Sequence, residues 1–173
     1  MVTGKPLFSA EQIQQKVREL ADRISSDYEG KDILAVGLLR GAFMFYSDLV
    51  RMIQVPLTVD FIVAASYVGT ETCGAVKIYS DIREDIADKD VLLIEDIVDS
   101  GVTLNRIRER ILECRPKSLR ICAFLDKKER RRVDVPLDYV GFVIPDEFVV
   151  GYGLDYENKF RNLPYIAAFR KSF

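Results

Sequence analysis

The sequence contains no histidine, and this absence excludes more classes of function than any other feature of its composition. Without histidine there is no Ser-His or Cys-His nucleophile pair, no histidine-ligated zinc and no imidazole acid or base. The three cysteines show no C-x-x-C spacing, so we expect reduced thiols in a cytoplasm rather than disulfides or a zinc site. Chemistry must then rest on carboxylates, lysine, arginine, tyrosine, backbone dipoles or a hard metal bound by oxygen.

Long apolar runs are also absent. None approaches the roughly 20 residues that span a bilayer, and the N-terminus lacks an apolar signal core, so we expect neither a membrane partner nor export. A net charge of -2 argues against a dedicated nucleic-acid-binding domain, which is usually basic. With 173 residues, 49% hydrophobic and 30% charged, the chain has a globular balance, and we expect one domain over residues 1–173.

Apolar runs alternate with amphipathic stretches, which predicts an α/β fold with a mostly parallel sheet flanked by helices. Strands are predicted at Ile33–Leu39, Leu57–Ala65, Val76–Tyr79, Val91–Ile94, Ser118–Leu125, Tyr139–Ile144 and Glu147–Val150. Helices are predicted from Ser9, with Gln12 in capping-box position, from Gly41, and over Thr103–Cys114. The polar segment Ser66–Ala75 contains two glycines and predicts an exposed, mobile loop.

The segment Val91–Leu104 carries the candidate chemistry. A buried strand is followed by two adjacent acids and then by a turn, Asp99-Ser100-Gly101-Val102-Thr103, that opens a helix. Ligands bind at the carboxyl ends of parallel strands, and a helix N-terminus presents unpaired N–H groups, so this turn predicts a phosphate site. Gly101 lets the backbone approach the anion, and the Ser100 and Thr103 hydroxyls add donors.

The two adjacent acids, Glu95 and Asp96, suit the sugar rather than the phosphate, because like charges repel. We expect them to bind ribose hydroxyls, or a Mg²⁺ that those hydroxyls help to hold. Carboxylates beside a phosphate-binding turn therefore indicate a ribose 5-phosphate site. The alternative is a buried strand, an acidic turn and a capped helix that serve only the fold.

This segment resembles the phosphoribosyl-diphosphate-binding motif of the type I phosphoribosyltransferases. Nearly the whole chain resembles the hypoxanthine-guanine branch of that family, with matching pieces at Leu38–Gly41, Ser66-Tyr67, Leu125–Lys127, Pro145–Tyr156 and Phe160-Arg161. The resemblance implies a type I phosphoribosyltransferase-like fold with a Rossmann-like core, a small hood near the termini and a flexible active-site loop. It implies a Mg²⁺-dependent purine-salvage transferase that moves the phosphoribosyl group from 5-phosphoribosyl 1-diphosphate to hypoxanthine and guanine.

The resemblance also implies roles for individual residues. Asp99 is implied as the general acid/base facing N7 of the purine. The implied phosphoribosyl-binding residues are Glu95, Asp96, Asp99, Ser100, Gly101, Val102 and Thr103. The implied pyrophosphate-binding residues are Arg40, Gly41, Ser66, Tyr67 and Arg161. The implied purine-binding residues are Lys127, Phe148, Val149 and Asp155. The implied ligands of Mg²⁺ are Glu95, Asp96 and Asp155.

Several details accompany these roles. Lys127 is implied to donate to the 6-oxygen of the base, with Lys128 as a neighbouring alternative, and Phe148 to stack on the purine. The family often has a cis peptide before the basic residue at the position of Arg40. Val102 departs from the family pattern, which usually has a polar lysine or asparagine there; its backbone N–H is retained, so phosphate binding is expected to persist.

Alternatives remain at this stage. The acceptor base could be xanthine, adenine or a pyrimidine, or the chain could be an RNA-binding, nucleotide-sensing regulator built on the same fold. A sugar-phosphate-binding module without catalysis is a third alternative. The family also implies a homodimer or homotetramer.

Overall fold

A mixed β-sheet forms the centre of the protein, and the computed structural model describes residues 6–66 and 76–170. The strands of this sheet are β1 (Ile33–Leu39), β2 (Leu57–Ser66), β3 (Val76–Ser80), β4 (Asp90–Val98), β5 (Ser118–Asp126) and β6 (Tyr139–Val143). Their spatial order is β3-β2-β1-β4-β5-β6. Neighbouring strands pair in parallel, except that β3 is antiparallel to β2. The predicted, mostly parallel α/β sheet is therefore confirmed.

Three helices accompany the sheet: α1 (Ala10–Asp27), α2 (Phe43–Val50) and α3 (Val102–Glu113). The predicted capping box starts α1, since the Gln12 N–H donates to Ser9 Oγ at 3.3 Å and the Ser9 N–H donates to Gln12 Oε1 at 2.9 Å. The second helix begins at Phe43 rather than at Gly41, and the Phe43 side chain is 38% exposed. Among the described residues, no helix is long and apolar enough to cross a membrane.

The hydrophobic core lies on both faces of the sheet, and β4 contributes to each. Leu92 and Ile94 pack with residues of α1 and α2, whereas Val91 and Leu93 pack with residues of α3. Because successive side chains of a strand point to opposite faces, a strand buried on both faces is a continuous apolar run. This pattern places β4 at the centre of the fold, between β1 and β5.

The central strand is longer than its apolar run. Glu95 pairs with Ala123 and Val98 with Asp126, so both acids of the central segment lie within β4 and not after its end. The prediction that the strand ends at Ile94 is therefore wrong. The physical reason is that β5 continues beside this segment and satisfies its backbone hydrogen bonds, whatever the polarity of the side chains.

A small second sheet covers the carboxyl-end side of the fold. Strands β7 (Val149–Val150) and β8 (Ala167–Ala168) pair antiparallel, and Phe8 forms a bridge with Ile166. The chain near both ends thus builds the hood that was expected near the termini. Of the predicted loop, Ser66 ends β2, and its remaining residues, from Tyr67 to Ala75, lie outside the described residues.

Candidate active site

A cleft of about 510 Å³ lies at the carboxyl ends of β1, β2, β4 and β5, partly under the hood. Ligands of open α/β sheets bind at this edge, so the cleft is the candidate site. Its lining residues are Leu38, Leu39, Arg40, Gly41, Ala64, Ala65, Glu95, Asp96, Ile97, Asp99, Thr103, Lys127, Arg130, Phe148, Val149, Leu154, Asp155 and Arg161. Most of the predicted site residues are therefore brought together.

The predicted phosphate-binding turn connects β4 to α3. Gly101 is the N-cap of α3 with φ of +80°, a left-handed conformation that favours glycine. A Cβ at Gly101 would also overlap the carbonyl oxygen of Val133. Ser100 O accepts hydrogen bonds from the N–H groups of Arg132 (2.9 Å) and Val133 (3.1 Å), which fasten the turn from behind. The N–H groups of the first helical turn are thus held in place at a positive helix end.

Not every residue of this turn reaches the cleft surface. Asp99 and Thr103 line the cleft, whereas Ser100, Gly101 and Val102 are not among its lining residues. The Val102 N–H lies 3.4 Å from Ser100 Oγ, a long hydrogen bond that a better acceptor can replace. The turn can therefore contact a ligand through its backbone N–H groups, and not through the side chain of Val102.

The acid pair of β4 is buried at the base of the cleft. Glu95 and Asp96 are 8% and 9% exposed. Burial raises the pKa of both carboxyls above their ordinary values, and the neighbouring Asp96 carboxylate adds to the larger rise at Glu95. Buried carboxyls with raised pKa values in a cleft are typical of functional sites rather than of stabilising ones.

The turn after β1 contributes Arg40 and Gly41. The Leu39–Arg40 peptide bond is cis, as the family resemblance implied. Arg40 Nη2 donates to Asn158 Oδ1 at 3.1 Å, which joins this turn to the hood. A Cβ at Gly41 would overlap the carboxylate of Asp96, so the absence of a side chain there makes room for that carboxylate.

Asp155 and Arg161 form an ion pair on the hood side. Arg161 Nη2 lies 2.7 Å from Asp155 Oδ1, and Arg161 Nη1 donates to Gly153 O at 2.6 Å. The N–H of Asn158 donates to Asp155 Oδ2 at 2.7 Å. The family resemblance implied separate roles for these two residues, whereas in the structure both oxygens of Asp155 hold Arg161 and its own loop.

The carboxylates of the cleft decide how well this site fits a metal ion. Within residues 6–66 and 76–170, no three or more His, Cys, Asp or Glu side chains are grouped to hold a metal ion. Glu95 and Asp96 fit a hard cation, because its charge would favour the ionised forms that burial disfavours. Asp155 fits less well while Arg161 neutralises it. A Mg²⁺ would therefore take many of its ligands from substrate and water.

The opposite side of the cleft is formed by Lys127 and the hood strand. Lys127 is only 4% exposed, its N–H donates to Val98 O at 2.9 Å, and its Nζ lies 4.0 Å from Asp146 Oδ1. Lys128, the alternative, is exposed and lines a separate hollow with Asp134. The structure therefore directs Lys127, and not Lys128, into the cleft.

Phe148 and Val149 complete this side. The Phe148 ring is 52% exposed and meets the Tyr156 and Phe169 rings edge-on, with centroids 5.9 and 6.1 Å apart. Val149 is 5% exposed and pairs with Ala168 in the hood sheet. An exposed ring held by aromatic neighbours offers a face on which a planar ligand can stack.

Arg130 is a cleft residue to which the sequence patterns gave no role. Its Nε lies 3.0 Å from Asp99 Oδ1 and its Nη1 3.4 Å from Asp146 Oδ1. The signal that was available is its spacing from Lys127: residues three apart share a face in a single 3₁₀ turn, here Lys128–Arg130. The apolar lining residues Leu38, Ala64 and Leu154 were also not singled out.

Comparison with known proteins gives the family. Residues 5–157 match the model of the phosphoribosyl transferase domain. This chain belongs to the phosphoribosyltransferase family. The hypoxanthine phosphoribosyltransferase of Salmonella typhimurium is 53% identical over 167 residues, covering 95% of this chain and 94% of that relative. The hypoxanthine-guanine phosphoribosyltransferase of Staphylococcus aureus strain Mu50 is 47% identical over 165 residues, covering 95% of this chain and 92% of the relative.

Solved structures of other phosphoribosyltransferases share the fold. The crystal structure of a hypoxanthine-guanine phosphoribosyltransferase from Bacillus anthracis has a TM-score of 0.92 at 49% identity, over 96% of this chain and 99% of that one. A mutant hypoxanthine phosphoribosyltransferase from Trypanosoma cruzi, in a ternary complex with substrates, has a TM-score of 0.92 at 39% identity, over 98% and 96% of the two chains. The type I phosphoribosyltransferase-like fold implied by the sequence is confirmed.

Proposed function

We propose that this phosphoribosyltransferase transfers the phosphoribosyl group of 5-phosphoribosyl 1-diphosphate to hypoxanthine, and also to guanine, giving IMP or GMP and pyrophosphate. A ring nitrogen of the base attacks C1 of the ribose and pyrophosphate leaves. The observation that carries this proposal is one cleft in which a phosphate-binding turn, two buried carboxyls, three arginines and a lysine-aromatic pair converge. The names of the relatives, at about half identity over nearly the whole chain, support the acceptor base.

The donor side of the cleft is assigned to sugar and phosphates. The turn Asp99–Thr103 binds the 5-phosphate through backbone N–H groups at the start of α3. Glu95 and Asp96 bind the ribose hydroxyls. Arg40, with the backbone of Gly41, and Arg161 bind the pyrophosphate, because a guanidinium matches the geometry of phosphate oxygens.

The acceptor side is assigned to the purine. Lys127 donates to the 6-oxygen, which favours a 6-oxopurine over adenine, whose amino group at that position is itself a donor. Phe148 stacks on the base, and the backbone of Val149 contacts its edge. Asp99 stands between the two sides and accepts the proton of the purine ring. Ser66 and Tyr67 stay predicted pyrophosphate ligands, since the Ser66 side chain and all of Tyr67 lie outside the described residues.

Mg²⁺ dependence is part of the proposal. Bound between Glu95, Asp96 and the substrate, the cation would neutralise charge on the leaving pyrophosphate. Asp155 would contribute to holding the cation only through water, because both of its oxygens are engaged. Positioning of the two substrates and stabilisation of ribosyl cation character account for the rest of the catalysis.

The charges around the basic segment Lys127–Arg132 argue against the RNA-binding alternative. Lys127 and Arg130 lie beside Asp146, and the guanidinium of Arg131 pairs with Asp126. Cations neutralised inside their own protein contribute little to phosphate-backbone binding, which depends on free positive charge. We therefore assign these residues to the cleft and not to a nucleic-acid surface.

Assembly and location are also proposed. The side chains of Phe43, Val59 and Phe61 are 38%, 49% and 37% exposed, and Phe61 packs on Tyr46 of α2. Exposed large apolar groups on one side of a fold support a homo-oligomer, a dimer or a tetramer. The free thiols of Cys114 and Cys122 support a reducing, cytoplasmic environment.

The test is a spectrophotometric assay of the purified protein with 5-phosphoribosyl 1-diphosphate, Mg²⁺ and, separately, hypoxanthine, guanine, xanthine and adenine. We expect turnover of hypoxanthine and guanine that disappears when Mg²⁺ is chelated and returns on its addition. Turnover of xanthine alone would show that the acceptor is xanthine and not hypoxanthine or guanine. Binding of the donor without turnover of any base would overturn the proposed function and favour a non-catalytic module.

A further inference from the structure

The Arg130 side chain joins carboxylates from two distant parts of the chain. Arg130 ends the 3₁₀ turn after β5, Asp99 follows β4, and Asp146 lies between β6 and β7. The guanidinium places Nε 3.0 Å from Asp99 Oδ1 and Nη1 3.4 Å from Asp146 Oδ1. A planar guanidinium can bridge two carboxylates in this way, whereas an ammonium group is a single point charge.

The contact with Asp99 holds one carboxylate oxygen and leaves the other available. Asp99 Oδ1 is buried and accepts no hydrogen bond within the described residues, so its contact with Arg130 is an ion pair without hydrogen-bond alignment. The Asp99 side chain as a whole is nevertheless 42% exposed. Since Oδ1 is covered, Oδ2 is the carboxylate oxygen available to a ligand in the cleft.

The ion pairs of Arg130 contribute little to the free energy of folding. The Arg130, Asp99 and Asp146 side chains are 47%, 42% and 50% exposed, and exposed pairs of this kind contribute little to stability. An acid at a turn, without such a partner, samples several rotamers. The contact with Asp146 narrows the rotamers of the Arg130 guanidinium, and the guanidinium in turn narrows those of the Asp99 carboxylate.

We propose that Arg130 is a positioning residue for the phosphoribosyl transfer. It holds Asp99 Oδ1, is itself anchored on Asp146, and thereby presents Asp99 Oδ2 to the ring nitrogen of the purine. Asp146 comes two residues before Phe148. The bridge through Arg130 therefore also connects Asp99 to the segment whose phenylalanine stacks on the purine. This inference rests on the proposed function, and it adds a residue that acts through Asp99 rather than on the substrate.

The test compares steady-state kinetics of Arg130→Gln, Arg130→Lys and the wild type, and repeats Arg130→Gln in an Asp99→Asn background. Misplacement of a reacting group costs up to about 100-fold, so we expect kcat of Arg130→Gln to fall roughly 10-fold to 100-fold. KM values for both substrates should change little. Arg130→Lys should recover part of kcat, because an ammonium can pair with Asp99 but cannot also bridge to Asp146.

The double variant gives the decisive comparison. If Arg130 acts through Asp99, Arg130→Gln should have almost no further effect once Asp99→Asn is present. Arg106→Gln is the matched control, since it removes an exposed arginine that pairs with a carboxylate outside the cleft, Glu109, and it should leave kcat unchanged. Thermal unfolding of each variant should match the wild type, which separates positioning from a folding defect.

Three results would overturn the inference. They are an unchanged or increased kcat in Arg130→Gln, a loss confined to KM, and full additivity of the two substitutions. An unchanged or increased kcat would show that Arg130 is dispensable for catalysis or restrains Asp99 unproductively. A loss confined to KM would show that Arg130 binds a substrate directly. Full additivity would show that Arg130 contributes independently of Asp99. Absence of turnover in the wild type would instead overturn the proposed function, and this inference with it.

Discussion

Gly41 and Asp96 occupy adjoining space at the base of the cleft, and a side chain on the first would overlap the carboxylate of the second. Gly41 lies in the turn after β1, and Asp96 lies in β4, the neighbouring strand. The two segments are therefore coupled, because a side chain at position 41 fits only if the Asp96 carboxylate moves.

The substitution Gly41→Ala tests this coupling. The added methyl group should displace the Asp96 carboxylate and lower kcat/KM for 5-phosphoribosyl 1-diphosphate by up to about 100-fold. Steady-state kinetics at saturating base, together with titration calorimetry of the donor in the presence of Mg²⁺, would measure it. If Gly41→Ala has the same kcat/KM as the wild type, Asp96 can move without consequence for binding of the donor.

Substitution of Asp99 by asparagine should lower kcat and leave donor binding intact. The amide cannot take up the proton of the purine ring, and general acid/base groups typically contribute about 100-fold to 10,000-fold in rate. Calorimetry should give a dissociation constant for the donor close to that of the wild type. An Asp99→Asn enzyme with full kcat would rule out the acid/base assignment.

A matched pair of glycines tests the phosphate-binding turn. Gly101 and Gly30 have φ values of +80° and +73°, but a Cβ meets the Val133 carbonyl only at Gly101 and meets nothing within 4 Å at Gly30. Gly30→Ala should cost about 1–2 kcal/mol of stability from backbone strain and leave activity intact. Gly101→Ala should cost about 1–3 kcal/mol more and also weaken donor binding. Urea unfolding and donor titration of both variants check this, and equal effects would contradict it.

Adjacent lysines provide a second matched pair. Lys127→Gln should raise KM for hypoxanthine about 10-fold to 100-fold, because hydrogen bonds from charged groups contribute roughly 1.5–3 kcal/mol. Lys128→Gln removes the same charge one residue away, from an exposed side chain that lines a separate hollow, and should leave KM unchanged. The opposite order of effects would transfer the purine contact to Lys128.

Asp90, at the start of β4, should contribute to stability in a pH-dependent way. The Ser118 hydroxyl and the Lys117 ammonium hold the pKa of this buried carboxyl below its usual value. A lowered folded-state pKa gives stability that is present above the unfolded value of about 3.9 and is lost as the pH falls through the folded value. Asp90→Asn should therefore cost about 1–3 kcal/mol at pH 7 and progressively less below pH 4. Urea unfolding between pH 7 and pH 2 measures the difference, and a cost that is independent of pH would refute the prediction.

Elements whose signals are local follow from the amino-acid sequence alone. The capping box of Ser9 and Gln12 and the apolar spacing behind it specify α1, because each contact lies within a few residues. The apolar run before Glu95 specifies a strand buried on both faces, and the glycine at position 101 specifies a left-handed turn before a helix. The candidate phosphate site follows from these local features, and the family resemblance supplies most of the remaining roles.

Which side chains meet across the cleft depends on how the sheet and the hood pack together. The extension of β4 to Val98 depends on pairing with β5, and the clash-free fit of Gly41 over Asp96 depends on the neighbouring turn. The bridge from Arg130 to Asp99 and Asp146 joins segments that no periodicity relates, and so no sequence pattern indicates that Arg130 lies in the cleft. Local patterns report the preferences of a few consecutive residues, whereas contacts between charges far apart in the chain exist only after the sheet has brought their segments together.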